Sequence, residues 1–428
     1  MLSFVISSSR ITFRRAALNI LILIRCFPPD INSAANLYYE LSEDLKKNNN
    51  KVVILTEFPD KIYGSSISRK HKYNLFLKET INNIDVFRIS KLLWLSKIPI
   101  GKALRYLLTF LLFLIKGIYL KKPDIVLVYS PPLNIGFAGY LIAKIIKVPF
   151  IFNMQDIHPK ALIDLKFLRS TFIINLLFDM ERLICKYAKH IIVYSKGNLE
   201  YLIKKGVNKN KISIIPNWVD TDSVTISDKM NYIRKSYMLG DKFVVTYGGT
   251  IGRAQHLESV ISAAEILKEQ LDIIFLLVGD GDSKLSLQQK VVKNNVSNIV
   301  FLPFQPKEQY IDILNATDVC LLPLSKDTPI QTVPGKLPQL MASGRPIIAC
   351  VSSHGDVKNI IENAECGYCV EPGDSNGLAL SILKLYGDRS IGKKMGENGR
   401  VYAEKEYSRS VCTKKYEEVL KLSITLIK

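Results

Sequence analysis

The sequence lacks several features, and each absence narrows the class of protein. No run reaches the roughly 18–20 apolar residues of a membrane-spanning helix, so we expect no span in these 428 residues. Zinc-finger spacings and RNP motifs are missing, which disfavours nucleic acid as a partner. The seven cysteines are odd in number and scattered, and Cys366 and Cys369 form a lone CxxC, so we expect no metal site and a reducing cytoplasm.

Acidic residues are scarce in the first half of the chain. Residues 1–212 carry 33 Lys and Arg against 14 Asp and Glu, whereas residues 213–428 carry 25 of each. The net charge of +19 therefore lies wholly in the first half. Part of this excess positive charge is typical of a solvated lysine-rich surface. Its restriction to one half of the chain, however, predicts two units with different partners. A basic half suits an anionic membrane surface or a phosphate-bearing substrate.

Apolar runs that are typical of buried strands alternate with amphipathic stretches from residue 19 onward. This rhythm predicts an α/β fold with doubly wound parallel sheets. It restarts after residues 215–220, which predicts two Rossmann-like domains. The predicted ranges are 1–18 for an extension without the order of a signal peptide, 19–215 and 216–395 for the domains, and 396–428 for helices that pack back on the first domain.

A separate feature is the stretch 102–120, which predicts a helix with a narrow basic stripe and a wide apolar face. Lys102, Arg105, Thr109 and Lys116 fall within one 60° arc of a helical wheel. One interpretation is a helix packed on the sheet. The other is a helix lying on an anionic bilayer, and the two can hold together.

The loops after the strands of the second half are candidates for a nucleotide site, because ligands bind at the carboxyl ends of parallel strands. Gly249 and Arg253 follow the first strand, Gly279 and Gly281 follow the second, and Phe304 follows the third. Glycines let the backbone approach a diphosphate closely, and an arginine adds a fixed charge. Further along, Gly335 and Lys336 open a helix whose N-terminus favours phosphate.

Polar residues also follow the strands of the first half. Asp156 and His158 come after a buried strand and are candidates for acid–base work. Asn32 and Ser33 begin a helix after the first strand, where they predict either an anion site or a helix cap. Ser130 ends another strand, and these last three residues are expected on the acceptor side.

Several motifs resemble a known family. TYGGTIGRAQHLES, VGDGDSKL and PGKLPQLMASGRPIIA in the second half, with FNMQDIHPKALIDL and IPNWVD before them, are similar to the retaining family-four glycosyltransferases. The subgroup most resembled comprises bacterial O-antigen and capsule N-acetyl-fucosamine transferases. The resemblance runs from about residue 19 to 420.

This resemblance implies a GT-B fold with the active site in the interdomain cleft, and a metal-independent reaction without a cofactor. The partners would be a UDP-sugar donor and a polyprenyl-diphosphate-linked acceptor, at the cytoplasmic face of the inner membrane. Arg253 and Lys336 would serve catalysis together with Asp156 and His158. The donor-binding residues it implies are Gly249, Arg253, Gly279, Lys336, Leu337 and Gln339, and Gly281, Phe304 and Gln331 join them as further donor-binding candidates.

The sequence departs from the usual family pattern at several positions: the common Arg and Lys for the diphosphate fall on Thr250 and Gln255, the cleft His-Asp is Gln155-Asp156, and an acidic pair is replaced. The customary Glu-x7-Glu falls on Gln331 and Gln339, and Gln339 can hydrogen-bond a ribose but supplies no carboxylate. This departure suggests one alternative, a non-catalytic nucleotide-sugar binder. A second alternative is a UDP-sugar 2-epimerase of the same fold, although such enzymes use several acidic residues in the cleft and this sequence shows few there.

Overall fold

The computed structural model describes residues 17–59, 74–92, 101–160, 163, 168, 170–328 and 333–425. Most of the predicted N-terminal extension and Gln331 lie outside these ranges, and so does the side chain of Lys102. The described chain forms two parallel-sheet units in which strands and helices alternate.

The first unit is built on an eight-stranded sheet with the order β3-β4-β2-β1-β5-β6-β7-β8. Its central strands are almost wholly buried apolar runs, as expected for a parallel sheet covered on both faces. The strands are β1 Asn19–Leu23, β2 Lys51–Glu57, β3 Phe76–Ile81, β4 Ile84–Ile89, β5 Ile125–Ser130, β6 Phe150–Met154, β7 His190–Val193 and β8 Ile212–Ile214.

One strand of this sheet, β3, was not predicted. It pairs antiparallel with β4 through a hairpin whose two turn residues, Asn82 and Asn83, have φ angles of 45° and 62°. Two left-handed residues in a two-residue loop are the signature of a type I′ turn, which asparagine tolerates. The Asn-Asn pair was the signal that reveals this hairpin.

The helices of the first unit include one whose exposed face is apolar. They are α1 Ser33–Lys47, α2 Gly101–Tyr119, α3 Leu133–Ile146 and α4 Thr171–Tyr187. The predicted helix at 102–120 is confirmed as α2, and it packs on α3, β2 and β4. Two residues of its predicted polar stripe face the protein: Thr109 is buried, and Lys116 lies over the ring of Phe87 at 4.7 Å. The exposed side of α2 is thus largely leucine and isoleucine.

The second unit contains a six-stranded parallel sheet with the order β11-β10-β9-β12-β13-β14. The apolar runs of this half predict six strands, at 242–247, 272–278, 298–302, 318–322, 346–350 and 367–370, and all six are confirmed with ends that differ by about a residue. They are β9 Phe243–Gly248, β10 Ile273–Val278, β11 Ile299–Leu302, β12 Val319–Pro323, β13 Ile347–Cys350 and β14 Gly367–Val370.

Helices cover this second sheet, and buried aliphatic side chains fill the space between the layers. The remaining helices are α5 Lys196–Lys204, α6 Tyr232–Ser236, α7 Glu258–Ile266, α8 Lys284–Lys293, α9 Lys307–Ala316, α10 Leu337–Ala342, α11 Asp356–Asn363, α12 Ser375–Gly387, α13 Arg389–Tyr402 and α14 Arg409–Thr425.

The compact units differ in two places from the ranges predicted for the domains. Tyr194–Gly206, which contains α5, belongs with the second unit, and so do residues 396–412, whereas the chain from Thr413 onward belongs with the first. A local contact accounts for the first difference, because the N–H of Gly197 in α5 donates to the Asp356 carboxylate at 2.7 Å. From Thr413 onward the chain is tied to the first unit by Thr413 and Glu417, whose side chains bond to Asp44 and Asn50.

Candidate functional site

The second sheet reverses its strand order between β9 and β12, and this is where an open parallel sheet binds its ligand. The loops after β9, β10 and β12 meet here through backbone hydrogen bonds. The N–H of Gly249 donates to Val278 O at 2.9 Å, and the N–H of Ser325 donates to Ala254 O at 2.8 Å. Backbone hydrogen bonds thus connect three of the loops that were predicted to form one site.

Glycines make this close approach possible. Gly279 has φ 144°, and a Cβ added there would lie 1.9 Å from the carbonyl oxygen of Gly249. Gly281 has φ 158°, and its Cβ would lie 2.2 Å from the carbonyl oxygen of Ile251. Because neither position has room for a side chain, the two loops form a backbone cradle.

Lys336 supplies a cation to this cradle. Its Nζ lies 4.1 Å above the centroid of the Tyr247 ring, and a Cβ added to Gly249 would be 3.8 Å from that Nζ. Desolvation lowers the pKa of Lys336 to about 7, and the nearby Cys320 opposes the shift only partly. A desolvated ammonium beside an open glycine backbone favours an anion.

The short helix α10 follows Lys336 and holds two more predicted residues. The side chain of Leu337 is fully buried in the core, and its N–H donates to Pro334 O at 3.0 Å, so Leu337 anchors the helix in this structure. Gln339 is half-buried on the same helix. Its predicted partner Gln331 lies outside the described residues.

Two predicted donor-binding side chains extend into solvent. Arg253 is exposed at the start of a short 3-10 turn that ends at Gln255. Phe304 is 72% exposed, two residues beyond the end of β11. Both are available for contacts that a bound ligand would complete.

Sequence reasoning missed three residues that shape this site. Tyr247 lies under Lys336 and donates its hydroxyl to Thr250 O at 2.5 Å, while the Tyr310 hydroxyl occupies the space that a Cβ on Gly248 would need. The buried Nδ1 of His256 has no hydrogen-bond partner in the part of the chain described. Tyr247 was hidden because it stands inside an apolar strand, where aromatics usually serve the core.

In the first unit, Asp156 and His158 follow β6 in one tight loop, in which the N–H of His158 donates to Asp156 O at 3.0 Å. Desolvation raises the pKa of Asp156 and lowers that of His158, and each group partly offsets the shift of the other. Both shifts favour the neutral forms, as suits groups that exchange a proton.

A polar network lies next to this loop and was not predicted. The buried amide of Asn153 donates to the hydroxyl of Tyr38 at 2.7 Å and to that of Tyr416 at 2.6 Å, and it accepts from Gln155 at 3.1 Å. Its members come from β6, α1 and α14. These hydrogen bonds hold the carboxyl end of β6 in place.

The remaining predicted residues lie near the point where the first sheet reverses, between β1 and β5. The side chain of Asn32 accepts from the N–H of Ala35 at 2.9 Å, so Asn32 caps α1, and Ser33 is exposed in the first turn. Ser130 is 1% exposed, and its Oγ has no hydrogen-bond partner among the described residues. Within the same ranges, no three His, Cys, Asp or Glu side chains are grouped to hold a metal ion.

Solved structures with the same architecture support the assignment of the fold. HepE from Anabaena, crystallised with UDP, is similar with a TM-score of 0.69 at 14% identity, over 94% of this chain and 99% of that one. Sucrose-phosphate synthase from Thermosynechococcus elongatus gives 0.69 at 17% identity, over 96% and 100%. Both likenesses show the fold alone.

Curated relatives include a putative colanic acid biosynthesis glycosyl transferase of Escherichia coli, 25% identical over 61% of this chain and 66% of that protein. A probable glycosyltransferase of Pseudomonas aeruginosa is 24% identical over 62% and 66%. A capsular polysaccharide biosynthesis glycosyltransferase of Staphylococcus aureus is 23% identical over 70% and 77%. The chain thus spans just under two thirds of the length of the first two.

Family models match both halves of the chain. Residues 34–223 match the model of Glycosyltransferase Family 4, and residues 242–388 match the model of glycosyl transferases group 1. Together with the two parallel-sheet units, these matches place the chain among the glycosyltransferases of the GT-B fold.

Proposed function

We propose that the protein transfers a sugar from a UDP-sugar to a polyprenyl-diphosphate-linked glycan during synthesis of a bacterial surface polysaccharide. The observation that carries the proposal is the desolvated Lys336 ammonium over Tyr247, beside the glycine cradle at the reversal of the second sheet. Backbone and ammonium are complementary to a diphosphate. The complexes of HepE with UDP and with UDP-glucose support a nucleotide-sugar as the donor.

In this proposal the second unit stabilises the leaving group. When the bond from sugar to diphosphate breaks, negative charge grows on the diphosphate oxygens, and Lys336 and Arg253 neutralise it. A preorganised cation in a desolvated place is effective, because it needs no reorganisation during the reaction. Gln339 would bind the ribose.

Asp156 and His158 of the first unit would serve the acceptor hydroxyl. By the resemblance of the sequence motifs, the transfer would retain the anomeric configuration, and the sugar would be an N-acetylated deoxyhexose such as N-acetyl-fucosamine. Relatives named for colanic acid and capsule synthesis support a role in O-antigen or capsule formation.

A donor panel with a lipid-linked acceptor tests this proposal. We expect UDP release with one UDP-sugar only when acceptor is present, and a product whose anomeric configuration, measured by NMR, matches the donor. Lys336→Met should bind UDP weakly and lose transfer. If wild type binds UDP but forms no product across the panel, the chain is a binder; release of UDP with an epimerised free sugar would indicate a 2-epimerase.

The first unit also carries a surface that suits a bilayer. Helix α3 packs against both α2 and α4, and all three expose large apolar side chains. The most exposed of α2 and α4 are Leu104, Tyr106, Leu107, Ile115, Tyr119, Phe172, Ile173, Leu176 and Tyr187. Lys144 lies 5.8 Å from the Tyr140 ring and 5.9 Å from the Tyr187 ring, at the edge of this apolar surface.

We therefore assign this surface to the interface of an anionic membrane, at the cytoplasmic face of the inner membrane. Apolar side chains would enter the headgroup region while lysines contact anionic lipid. None of the helices that the structure describes is long and apolar enough to cross a membrane.

Vesicle sedimentation tests the surface directly. Leu107→Gln/Phe172→Gln should reduce binding to vesicles of phosphatidylcholine with phosphatidylglycerol by about tenfold or more. The reason is that burial of a leucine or phenylalanine side chain contributes roughly 1.5–3 kcal/mol of transfer free energy. The matched control is Leu271→Gln/Leu285→Gln, two leucines of the second unit that are 77% and 74% exposed. Equal losses in both variants would contradict the assignment.

A further inference from the structure

The first unit contains a cavity of about 390 Å³ at the edge of the sheet where the parallel strands begin. Asn19 and Lys51 are the first residues of β1 and β2, and Asp85 lies at the start of β4. Asp156 and Ser130 lie at the opposite edge, where the strands end. The cavity is therefore separate from the acceptor residues proposed above.

Its lining combines seven apolar residues, called the floor below, with five lysines, called the rim. The floor is formed by Ile20, Leu21, Val52, Val53, Phe87, Leu120 and Pro123. Five lysines line the rim: Lys46, Lys51, Lys78, Lys121 and Lys122. The carboxylate among the lining residues is that of Asp85, so the charge of the lining is strongly positive.

The lysines of the rim differ in their partners. Lys46 donates to the backbone oxygens of Asn82 and Asn83, at 3.2 and 2.6 Å, and Lys78 pairs with Asp85 at 3.3 Å. Lys51, Lys121 and Lys122 are exposed, and the described part of the chain gives their ammonium groups no hydrogen bond or ion pair.

Two further carboxylates stand behind the wall, and both are engaged. Asp124 accepts from the backbone and side-chain N–H groups of Asn19 at 2.8 and 3.0 Å. Glu417 accepts from Asn50 at 3.0 Å and pairs with Lys421 at 2.8 Å. Because these two carboxylates bond to other groups, Lys51, Lys121 and Lys122 are available to a ligand.

We propose that this cavity binds a phosphate ester of a small polyol, with the phosphate held by Lys51, Lys121 and Lys122 and the carbon body on the apolar floor. The volume lies within the range of small-molecule sites and exceeds what a lone phosphate needs. Three ammonium groups supply the positive charge and the hydrogen-bond donors that the oxygens of a phosphate ester require.

Two sources supply this chemistry: a free phosphate ester and the headgroup of a glycerophospholipid. The second is reachable, because Leu120–Pro123 directly follow α2 and Phe87 carries Lys116 of α2 over its ring. The site does not depend on the transferase reaction. A failure of sugar transfer would therefore leave it standing, and its own failure would leave the transferase standing.

Binding of sn-glycerol 3-phosphate to the full chain, followed by calorimetry, is the first test. We expect Lys121→Ala/Lys122→Ala to weaken it about tenfold or more, equivalent to roughly 1.4 kcal/mol, while Lys121→Arg/Lys122→Arg retains it. The control with the same change of charge is Lys268→Ala/Lys293→Ala, two exposed lysines of the second unit. Glycerol should not bind.

Vesicles of phosphatidylcholine with and without phosphatidylglycerol form the second arm. If Lys121→Ala/Lys122→Ala loses binding of glycerol 3-phosphate but still binds the vesicles like wild type, the site takes the free ester. A loss confined to phosphatidylglycerol vesicles, in the same variant and not in the control, supports a lipid headgroup. If wild type and this variant bind both probes equally, or wild type binds neither, the proposal is overturned.

Discussion

Both units reverse their strand order, but the loops at the reversal present different chemical groups. In the second unit, the loops after β9 and β10 are glycine backbones in contact, with Lys336 as the cation beside them. In the first, the corresponding loops carry polar side chains: Asn32 accepts from the N–H of Ala35, while Ser130 Oγ is buried without a partner among the described residues. A backbone cradle suits the diphosphate that all UDP-sugars share, whereas side chains suit an acceptor that differs between enzymes.

The largest effect that we expect from this difference is at Gly279. Gly279→Ala places a Cβ on the carbonyl oxygen of Gly249 at φ 144°, which should cost about 3 kcal/mol of unfolding free energy or more and abolish UDP binding. Gly240→Ala is the control, because Gly240 also has positive φ, at 49°, but its Cβ meets nothing within 4 Å. Its strain alone should cost about 1–2 kcal/mol. Similar losses in both would mean that the loop contact is unimportant.

Lys336 gives the next effect. Lys336→Met should lower kcat/KM by roughly a hundredfold or more. UDP affinity of wild type should fall as pH rises through about 7, because the ammonium then loses its proton. Lys336→Arg should remove this dependence, since arginine stays charged. A pH-independent affinity in wild type would contradict the role of Lys336.

Folding stability provides a second measurement on the same residue. Folding lowers the pKa of Lys336, so its burial destabilises the fold fully below about pH 7, and the cost disappears as pH rises toward the unfolded value of 10.5. Lys336→Met should therefore be at least as stable as wild type near neutral pH while it loses activity. A large loss of stability would instead make Lys336 structural.

Tyr416 tests the side-chain network of the first unit. Tyr416→Phe removes one acceptor of the Asn153 amide and should cost about 1–2 kcal/mol in urea unfolding. Tyr119→Phe, at an 83% exposed position, should change nothing. If Tyr416→Phe is neutral, the network does not hold the end of β6.

Asn32 gives the smallest effect. Asn32→Ala should cost about 1 kcal/mol through loss of the cap on α1, with donor and acceptor affinity unchanged, and Asn32→Ser should restore most of it. Unchanged stability together with weaker acceptor binding would favour the anion-site interpretation instead.

Local patterns explain why so much of the fold was predictable. Buried parallel strands are continuous apolar runs, and the loops after them are marked by glycine, so the six strands of the second unit and the loops of Gly249, Gly279 and Gly281 followed from neighbours in the chain. The hairpin of β3 and β4 was not predicted, although the pair Asn82-Asn83 is a sequence signal for such a turn. The roles of the individual site residues stay predictions.

Other features depend on contacts that periodicity does not contain. Asn153 bonds to Tyr38 and to Tyr416, which are 115 and 263 positions away. The helical wheel of α2 separated a basic from an apolar face, but only packing decided that Thr109 faces the protein and that Leu107 faces outward.

The sequence by itself determined the alternation of strands and helices, the glycine loops and the one-sided charge, because these depend on residues close together in the chain. The tertiary structure decided which lysines are available. Lys336 is desolvated over Tyr247, Lys46 and Lys78 are bonded, and Lys51, Lys121 and Lys122 are left to a ligand. The physical reason is that the pKa and the partners of a cation are set by what lies across from it in space.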